Sequence, residues 1–195
     1  MSQTLTVLAI PGSLREGSYN RGLLRAAREL APTTVEIELY DSLAEIPPYN
    51  EDVERRGTPS VVRELKDRID RAGALLIATP EYNYSIPGVL KNAIDWASRP
   101  ADRTPLRNKP TGILGASVGN FGTARAQLAL RQVFVFTGTP AMLKPELLVF
   151  NAADRFSADG ELTDESTRVF LRDYLREFEH WARENAPQRA LAGTR

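Results

Sequence analysis

The stretch Gly12-Ser13-Leu14-Arg15-Glu16-Gly17-Ser18-Tyr19-Asn20 separates an apolar run from a helical pattern, and it indicates how the chain folds. The apolar residues 5–10 before it predict a buried strand, and the spacing of the apolar residues in 23–30 predicts one face of a helix. In a polar loop between a strand and a helix, unpaired N–H groups and the positive end of the helix dipole point at the loop. The stretch therefore predicts a site for an anion, and for a phosphate in particular.

The side chains of this first loop (12–20) suit a phosphate as well as its backbone does. Ser13, Ser18 and Asn20 each carry a hydroxyl or an amide that can donate a hydrogen bond, and Arg15 adds a permanent charge in a fork geometry. The loop has neither the Gly-Lys-Ser/Thr ending of a P-loop nor the Gly-x-Gly-x-x-Gly of a dinucleotide site. A purely structural interpretation stays open, because Ser18 is also a good helix N-cap and Gly12 a good turn residue.

The rest of the chain alternates between apolar runs and helical patterns. Four further strands are predicted at 34–39, 73–79, 111–116 and 147–150. Further helices are predicted after Thr58, which would cap a helix started by Pro59, and at 89–96, 124–136 and 164–185. Residues 40–58 are predicted to be a loop because they contain Pro47-Pro48 and Gly57. The alternation predicts an α/β, flavodoxin-like fold: a doubly wound five-stranded parallel sheet, order 2-1-3-4-5, with helices on both faces.

The length of the chain suits one domain. We expect residues 1–187 to form it and residues 188–195 to be a disordered tail. In the last predicted helix, an aromatic stripe at helical spacing is interpreted as core packing. Its members are Phe170, Tyr174, Phe178 and Trp181.

Composition excludes several classes of partner. The chain has 195 residues, with 25 Lys and Arg against 25 Asp and Glu, so nothing favours nucleic acid or an anionic membrane surface as a partner. It has no apolar run of transmembrane length, and its first residues lead into a strand without a signal peptide. We therefore expect a cytoplasmic protein.

Two residue types restrict the chemistry. The chain has no cysteine, which excludes thiolate nucleophiles and cysteine-bound metals, and its single histidine, His180, falls in a helical pattern that predicts a partly exposed position. We expect neither a catalytic side chain nor a metal site. An enzyme of this composition takes its reactive group from a cofactor.

Three unusual loops are predicted to meet at one edge of the sheet. The first loop, the second loop (80–88) and the third loop (117–123) follow strands 1, 3 and 4, which are neighbours in the predicted order. Pro80, Tyr82 and Tyr84, with the polar groups of Glu81 and Asn83, suit a flat aromatic ring with hydrogen-bonding edges. A phosphate at one end and a flat heterocycle at the other describe FMN. For the second loop alone, a proline-rich turn that caps the next helix is an equally good interpretation.

The motifs, taken in order, resemble the NADPH-dependent FMN reductase family, which includes quinone, chromate and azo-dye reductases of flavodoxin-like fold. They are Gly12-Ser13-Leu14-Arg15 with Ser18 and Asn20, Pro80-Glu81-Tyr82-Asn83, and Gly88 with Lys91-Asn92-Ala93-Ile94-Asp95-Trp96. The resemblance implies that Ser13, Arg15, Ser18 and Asn20, with Tyr19 beside them, hold the FMN phosphate. It also implies that Pro80, Glu81, Tyr82 and Asn83 lie along the isoalloxazine, that Ser117 and Gly119 lie near its other edge, and that the chain forms homodimers or homotetramers.

The hypothesis at this stage is an FMN-dependent oxidoreductase. It would pass hydride from NADPH or NADH to the flavin and then electrons to a small acceptor such as a quinone, chromate, an azo compound or free flavin. The alternative is a non-enzymatic, flavodoxin-like electron carrier or flavin redox sensor. Carriers of this fold tend to be strongly acidic, whereas this chain has a formal net charge of zero. A third interpretation is a phosphate- or nucleotide-binding module without flavin.

Overall fold

Five parallel strands form one sheet at the centre of the computed structural model, which describes residues 3–186. The sheet order is β2-β1-β3-β4-β5, as predicted. The strands are β1 (Leu5–Pro11), β2 (Val35–Leu39), β3 (Ala74–Ala78), β4 (Thr111–Ala116) and β5 (Leu147–Val149). Val7 of β1 pairs with Ile37 on one side and with Ala74 on the other. Every residue of β3 and β4 is buried, because helices cover both faces of the central strands.

The helices lie on both faces of the sheet. They are α1 (Tyr19–Leu30), α2 (Glu51–Arg56), α3 (Ser60–Arg71), α4 (Gly88–Ala97), α5 (Ala124–Thr137) and α6 (Glu165–Asn185). One core cluster packs α1 and α6 against the sheet, with Tyr174 and Phe178 at its centre. The other packs α3, α4 and α5 on the opposite face, around Leu65 and Trp96. The doubly wound architecture is therefore confirmed.

The loop prediction for residues 40–58 is wrong. This segment contains a 3₁₀ turn (Ser42–Glu45) and helix α2. The Asn50 side chain accepts from the N–H of Asp52, acidic residues occupy the first turn of α2, and Gly57 ends the helix with φ +138°. No residue of α2 is buried, so the helix lacks the apolar periodicity on which the sequence interpretation relied.

Two smaller expectations also need correction. Helix α3 begins at Ser60, and Pro59 rather than Thr58 occupies the N-cap position. Phe170 is 44% exposed, and Leu171 takes its place in the buried face of α6. Residues spaced four apart do not stay on one face, because a helical turn has only 3.6 residues. The stripe therefore turns away from the core, and Phe170 at its N-terminal end lies outside the buried face.

Other expectations are confirmed or lie outside what the structure covers. The His180 side chain is 72% exposed and lies 3.3 Å from Glu184. The domain end at residue 187 and the tail at 188–195 lie outside the described residues. Within residues 3–186, no helix has the length and apolar character needed to cross a membrane.

A segment after β5 packs on helix α1. The ring of Phe156 lies 5.2 Å from that of Tyr19, and Nη2 of Arg25 donates to the carbonyl of Gly160 at 3.0 Å. A Cβ atom at Gly22 would lie 2.0 Å from the Gly160 carbonyl oxygen, so only glycine fits at this contact. The segment thereby fixes the first turns of α1, which directly follow the first loop.

Candidate functional site

The first loop leaves the N-terminus of α1 open. The N–H of Gly12 donates to the carbonyl of Ala78 at 2.7 Å, which holds the loop against the end of β3. Ser18 is the N-cap of α1 and accepts from the N–H of Arg21. The N–H groups of Tyr19 and Asn20 find no partner within the described residues, as is normal for the first turn of a helix without a ligand. They form a cradle for an anion.

Two buried hydroxyl groups beside the cradle can also donate hydrogen bonds to an anion. Ser13 and Ser18 are each 3% exposed, and their oxygens accept from the N–H groups of Arg15 and Arg21 at 3.3 and 3.4 Å. Among residues 3–186, neither hydroxyl donates a hydrogen bond, so both protons stay available. The exposed Arg15 donates to the carbonyl of Gly17 at 3.4 Å and lies at the rim. The cradle therefore combines neutral donors with one positive charge.

Asn20 has a structural role that the sequence did not indicate. Its Nδ2 donates to the carbonyl of Ala116 and its Oδ1 accepts from the N–H of Ala116, both at 2.9 Å. These bonds form a brace between the first loop and the end of β4. One hydrogen on Nδ2 is left, so the predicted contact of Asn20 with a phosphate stays a prediction.

The three loops enclose a hollow of about 160 Å³. Its lining includes all of the predicted cofactor-binding residues except Asn83 and Gly119. The lining residues are Ser13, Arg15, Ser18, Tyr19, Asn20, Pro80, Glu81, Tyr82, Ala116, Ser117 and Val118. Sequence reasoning missed Ala116 and Val118, because their small aliphatic side chains give no chemical signal for cofactor binding.

The second loop contains a tight two-residue turn. Tyr82 and Ser85 exchange both backbone hydrogen bonds at 2.9 Å. Between them, Asn83 and Tyr84 have φ values of +49° and +67°, a left-handed conformation that is uncommon for a tyrosine. The turn leaves the side chains of Tyr82 and Tyr84 48% and 71% exposed. It thus presents aromatic surface beside the hollow.

The carboxylate of Glu81 faces helix α5. It accepts from the N–H groups of Arg125 and Ala126 at 3.1 and 3.3 Å, and from Nε of Arg125 at 2.5 Å. The Glu81 side chain is only 7% exposed. Its carboxylate caps a helix from another loop, so the part of Glu81 left for the hollow is mainly its backbone.

Arg125, the partner of this carboxylate, lies in a stretch (122–127) that resembles a further motif of the family, but sequence reasoning assigned Arg125 no role. The first turn of α5 contains no acidic residue, and Thr123 at its N-cap position makes no side-chain cap bond. A helix N-terminus without a local cap needs a partner from elsewhere, and Glu81 is that partner.

The third loop contains backbone N–H groups that have no hydrogen-bond partner within residues 3–186. Ser117 Oγ accepts from the N–H of Gly119 at 3.1 Å, and the N–H of Ser117 donates to Val149 at 2.9 Å. In the described part of the chain, the N–H of Val118 makes no hydrogen bond. Among the backbone amides of Ser117, Val118 and Gly119, that of Val118 is therefore the one available to a ligand.

Comparisons with known proteins identify a family and similar proteins. The model of the family described as NADPH-dependent FMN reductase matches residues 5–154. An NAD(P)H-dependent FMN reductase of Pseudomonas aeruginosa is 50% identical over 94% of this chain and 98% of its own length. A quinone reductase of Escherichia coli is 42% identical over 91% of this chain and 95% of its own length.

A solved structure is also similar. It is the flavoenzyme NAD(P)H:(acceptor) oxidoreductase FerB of Paracoccus denitrificans. The TM-score is 0.86 at 38% identity, with 94% of this chain and 100% of that chain covered.

Proposed function

This chain belongs to the NADPH-dependent FMN reductase family, and we propose that it holds FMN in the hollow between its three loops and there exchanges electrons between NAD(P)H and a quinone. As a member of that family, it is an FMN-dependent NAD(P)H oxidoreductase. One observation supports the placement above all others. An open helix N-terminus lies beside exposed tyrosines at the same sheet edge, and it holds two buried hydroxyls that donate no hydrogen bond within residues 3–186.

The residues of the first loop fit the phosphate end of FMN. The hydroxyls of Ser13 and Ser18 and the N–H groups of Tyr19 and Asn20 supply donors, and Arg15 supplies charge. The enclosed volume of about 160 Å³ is smaller than the roughly 300–1,000 Å³ of sites that enclose a whole small molecule. It accommodates the phosphate end, while the flat ring needs the open wall beside it.

We assign that wall to the second and third loops. Pro80, Tyr82, Asn83 and the backbone of Glu81 would lie along the isoalloxazine, with Ser117 and Gly119 at its other edge. Bound FMN supplies the hydride-accepting chemistry, so the protein's part is to orient the reactants and to donate hydrogen bonds. The free N–H of Val118 is our candidate donor to the reduced cofactor.

A quinone is the acceptor that the site and the relatives favour. Several relatives carry the name quinone reductase, and the exposed rings of Tyr82, Tyr84 and Phe121 offer planar apolar surface for a planar acceptor. Because NAD(P)H is the donor, we also propose that the protein works in the cytoplasm.

We further propose a homodimer formed through the outer face of α5, on which homotetramers could build. Leu128, Val135 and Phe136 of this helix and the nearby Leu143 are 61–83% exposed. Phe136 also lines a groove of about 470 Å³ between α4 and α5, and Val135 and Leu143 line a second groove of about 450 Å³. A patch of this kind on a helix suits a self-complementary interface with a second copy.

The test is a visible absorption spectrum of the protein with FMN, followed by anaerobic NAD(P)H and then a quinone. We expect a bound flavin spectrum that bleaches with NAD(P)H and recovers with quinone, in repeated turnover without another protein. Bound flavin that does not bleach would favour the carrier or sensor. Failure to bind FMN would overturn the assignment of all three loops.

A further inference from the structure

Arg125 lies between two aromatic rings from different loops. Its Cζ atom is 3.8 Å from the ring centroid of Tyr84 and 4.4 Å from that of Phe121. Tyr84 belongs to the second loop and Phe121 to the third, so the guanidinium contacts both loops. Contacts of this kind are favourable cation–π interactions and also stack flat surfaces.

Glu81 holds the same guanidinium at its edge. Its carboxylate accepts from Nε and Nη2 of Arg125, and from the N–H groups of Arg125 and Ala126. The Arg125 side chain is 33% exposed and that of Glu81 only 7%, so much of the ion pair is withdrawn from water. Charge-assisted bonds with a forked donor are among the stronger and more directional hydrogen bonds in proteins.

These four residues (Glu81, Tyr84, Phe121 and Arg125) form what we call the Arg125 clamp. The clamp lies beside the hollow, and Arg125, Tyr84 and Phe121 are not among the residues that line it. Despite these contacts, Tyr84 and Phe121 remain 71% and 61% exposed. The clamp therefore fixes aromatic surface at the mouth of the site without contributing to the anion cradle of the first loop.

We propose that Arg125 is a positioning residue, which joins the second and third loops into one aromatic wall against which the planar quinone stacks. This inference rests on the proposed function, because the wall matters only if a planar reactant enters beside the flavin. Electron or hydride transfer needs the reacting rings about 3–3.5 Å apart. If the two loops moved independently, the separation of the reacting rings would vary more than it does when Arg125 joins the loops.

Replacing Arg125 should weaken binding of the quinone more than binding of FMN. In Arg125→Ala we expect the KM for a naphthoquinone to rise about tenfold, with kcat and the FMN dissociation constant within about threefold of wild type. Steady-state kinetics with saturating FMN and a fluorescence titration of FMN measure the two effects. A residue that merely supports the fold would shift both constants together, and that result would overturn the proposal.

Two further variants separate geometry from charge. Arg125→Lys keeps the positive charge but loses the flat, forked group, so its KM should stay close to that of Arg125→Ala. A wild-type KM in Arg125→Lys would overturn the proposal. Arg176→Ala is the matched control, since Arg176 is 65% exposed and pairs with Asp173 on α6 at 3.3 Å. Its kinetics should match those of wild type.

A variant on the other loop keeps the test valid if Arg125→Ala does not fold. Tyr84→Asn removes one ring of the clamp, and asparagine tolerates the left-handed backbone at this position. We expect the same selective rise in KM for the quinone, and an unchanged KM would contradict the proposal. Failure of wild type to bind FMN would instead overturn the proposed function, which the wild-type spectrum shows before any variant is made.

Discussion

Helices α1 and α5 both begin at the carboxyl edge of the sheet, yet their N-termini are used differently. At α1, Ser18 caps the helix locally, and the N–H groups of Tyr19 and Asn20 have no partner in the part of the chain that the structure describes. At α5, a carboxylate from the second loop accepts from the N–H groups of Arg125 and Ala126. One terminus is open to an external anion, and the other is closed by the protein's own anion.

This difference shows that a loop's place at the sheet edge does not alone determine whether it binds an anion. Both termini have the same dipole and the same unpaired N–H groups to satisfy. What distinguishes them is the source of the negative charge. Glu81 supplies it at α5, whereas a phosphate would supply it at α1.

The largest effect should come from removing charge at the open terminus. Arg15→Ala is expected to raise the FMN dissociation constant about 10- to 100-fold, because a charged hydrogen bond contributes roughly 1.5–3 kcal/mol. Fluorescence titration of the apoprotein measures the change, and Arg125→Ala is the comparison at the closed terminus. Unchanged FMN affinity in Arg15→Ala would contradict the assignment of the phosphate.

Opening the closed terminus should affect stability. Glu81→Gln keeps the size of the side chain but removes the negative charge that faces α5, and we expect the free energy of unfolding to fall by about 1–3 kcal/mol. Urea denaturation measures this loss. Glu51→Gln is the matched control, since Glu51 is 66% exposed in its ion pair with Arg55, where the expected change is about 0–0.5 kcal/mol. Equal losses in the two variants would show that the Glu81 cap stabilises the fold no more than an exposed ion pair does.

The local cap of the open terminus should contribute less. Ser18→Ala is expected to lower the free energy of unfolding by about 1 kcal/mol and also to weaken FMN binding, because the hydroxyl serves both the helix and the cradle. Ser18→Thr keeps the hydroxyl and should retain most of both properties. A loss of stability without any loss of FMN affinity would restrict Ser18 to capping.

Helix α6 provides a third kind of N-terminus, capped by its own acid. Hydrogen bonds from Thr167 and Ser166 hold the pKa of Asp164 well below its usual range. Because the folded-state pKa is lowered, the stabilisation is complete above about pH 4 and is lost as the pH falls below that value. Asp164→Asn should therefore be slightly less stable than wild type at neutral pH, and the difference should shrink on acidification because only wild type has this stabilisation to lose. Parallel stability curves from pH 5 to pH 2 would contradict this smallest of the four effects.

Much of the fold and part of the site could be predicted because their signals are local. The uninterrupted apolar runs of β3 and β4 predicted central strands, and the loop chemistry at 12–20 predicted the anion cradle at α1. The closed terminus of α5 could not be predicted in the same way, since its cap, Glu81, lies 44 residues before Arg125 in the chain. The brace between Asn20 and Ala116 was missed for the same reason, and α2 was missed because it buries no side chain.

The brace also determines when the site can exist during folding. Asn20 and Ala116 lie 96 residues apart, and their two hydrogen bonds form only after β4 has joined the sheet next to β3. A ribosome-bound chain that ends before β4 contains the whole first loop but not the strand that fixes it. If FMN binds at the first loop as proposed, we expect its capture to be a late event, with bound-flavin absorbance returning during refolding when the sheet is complete rather than when α1 forms.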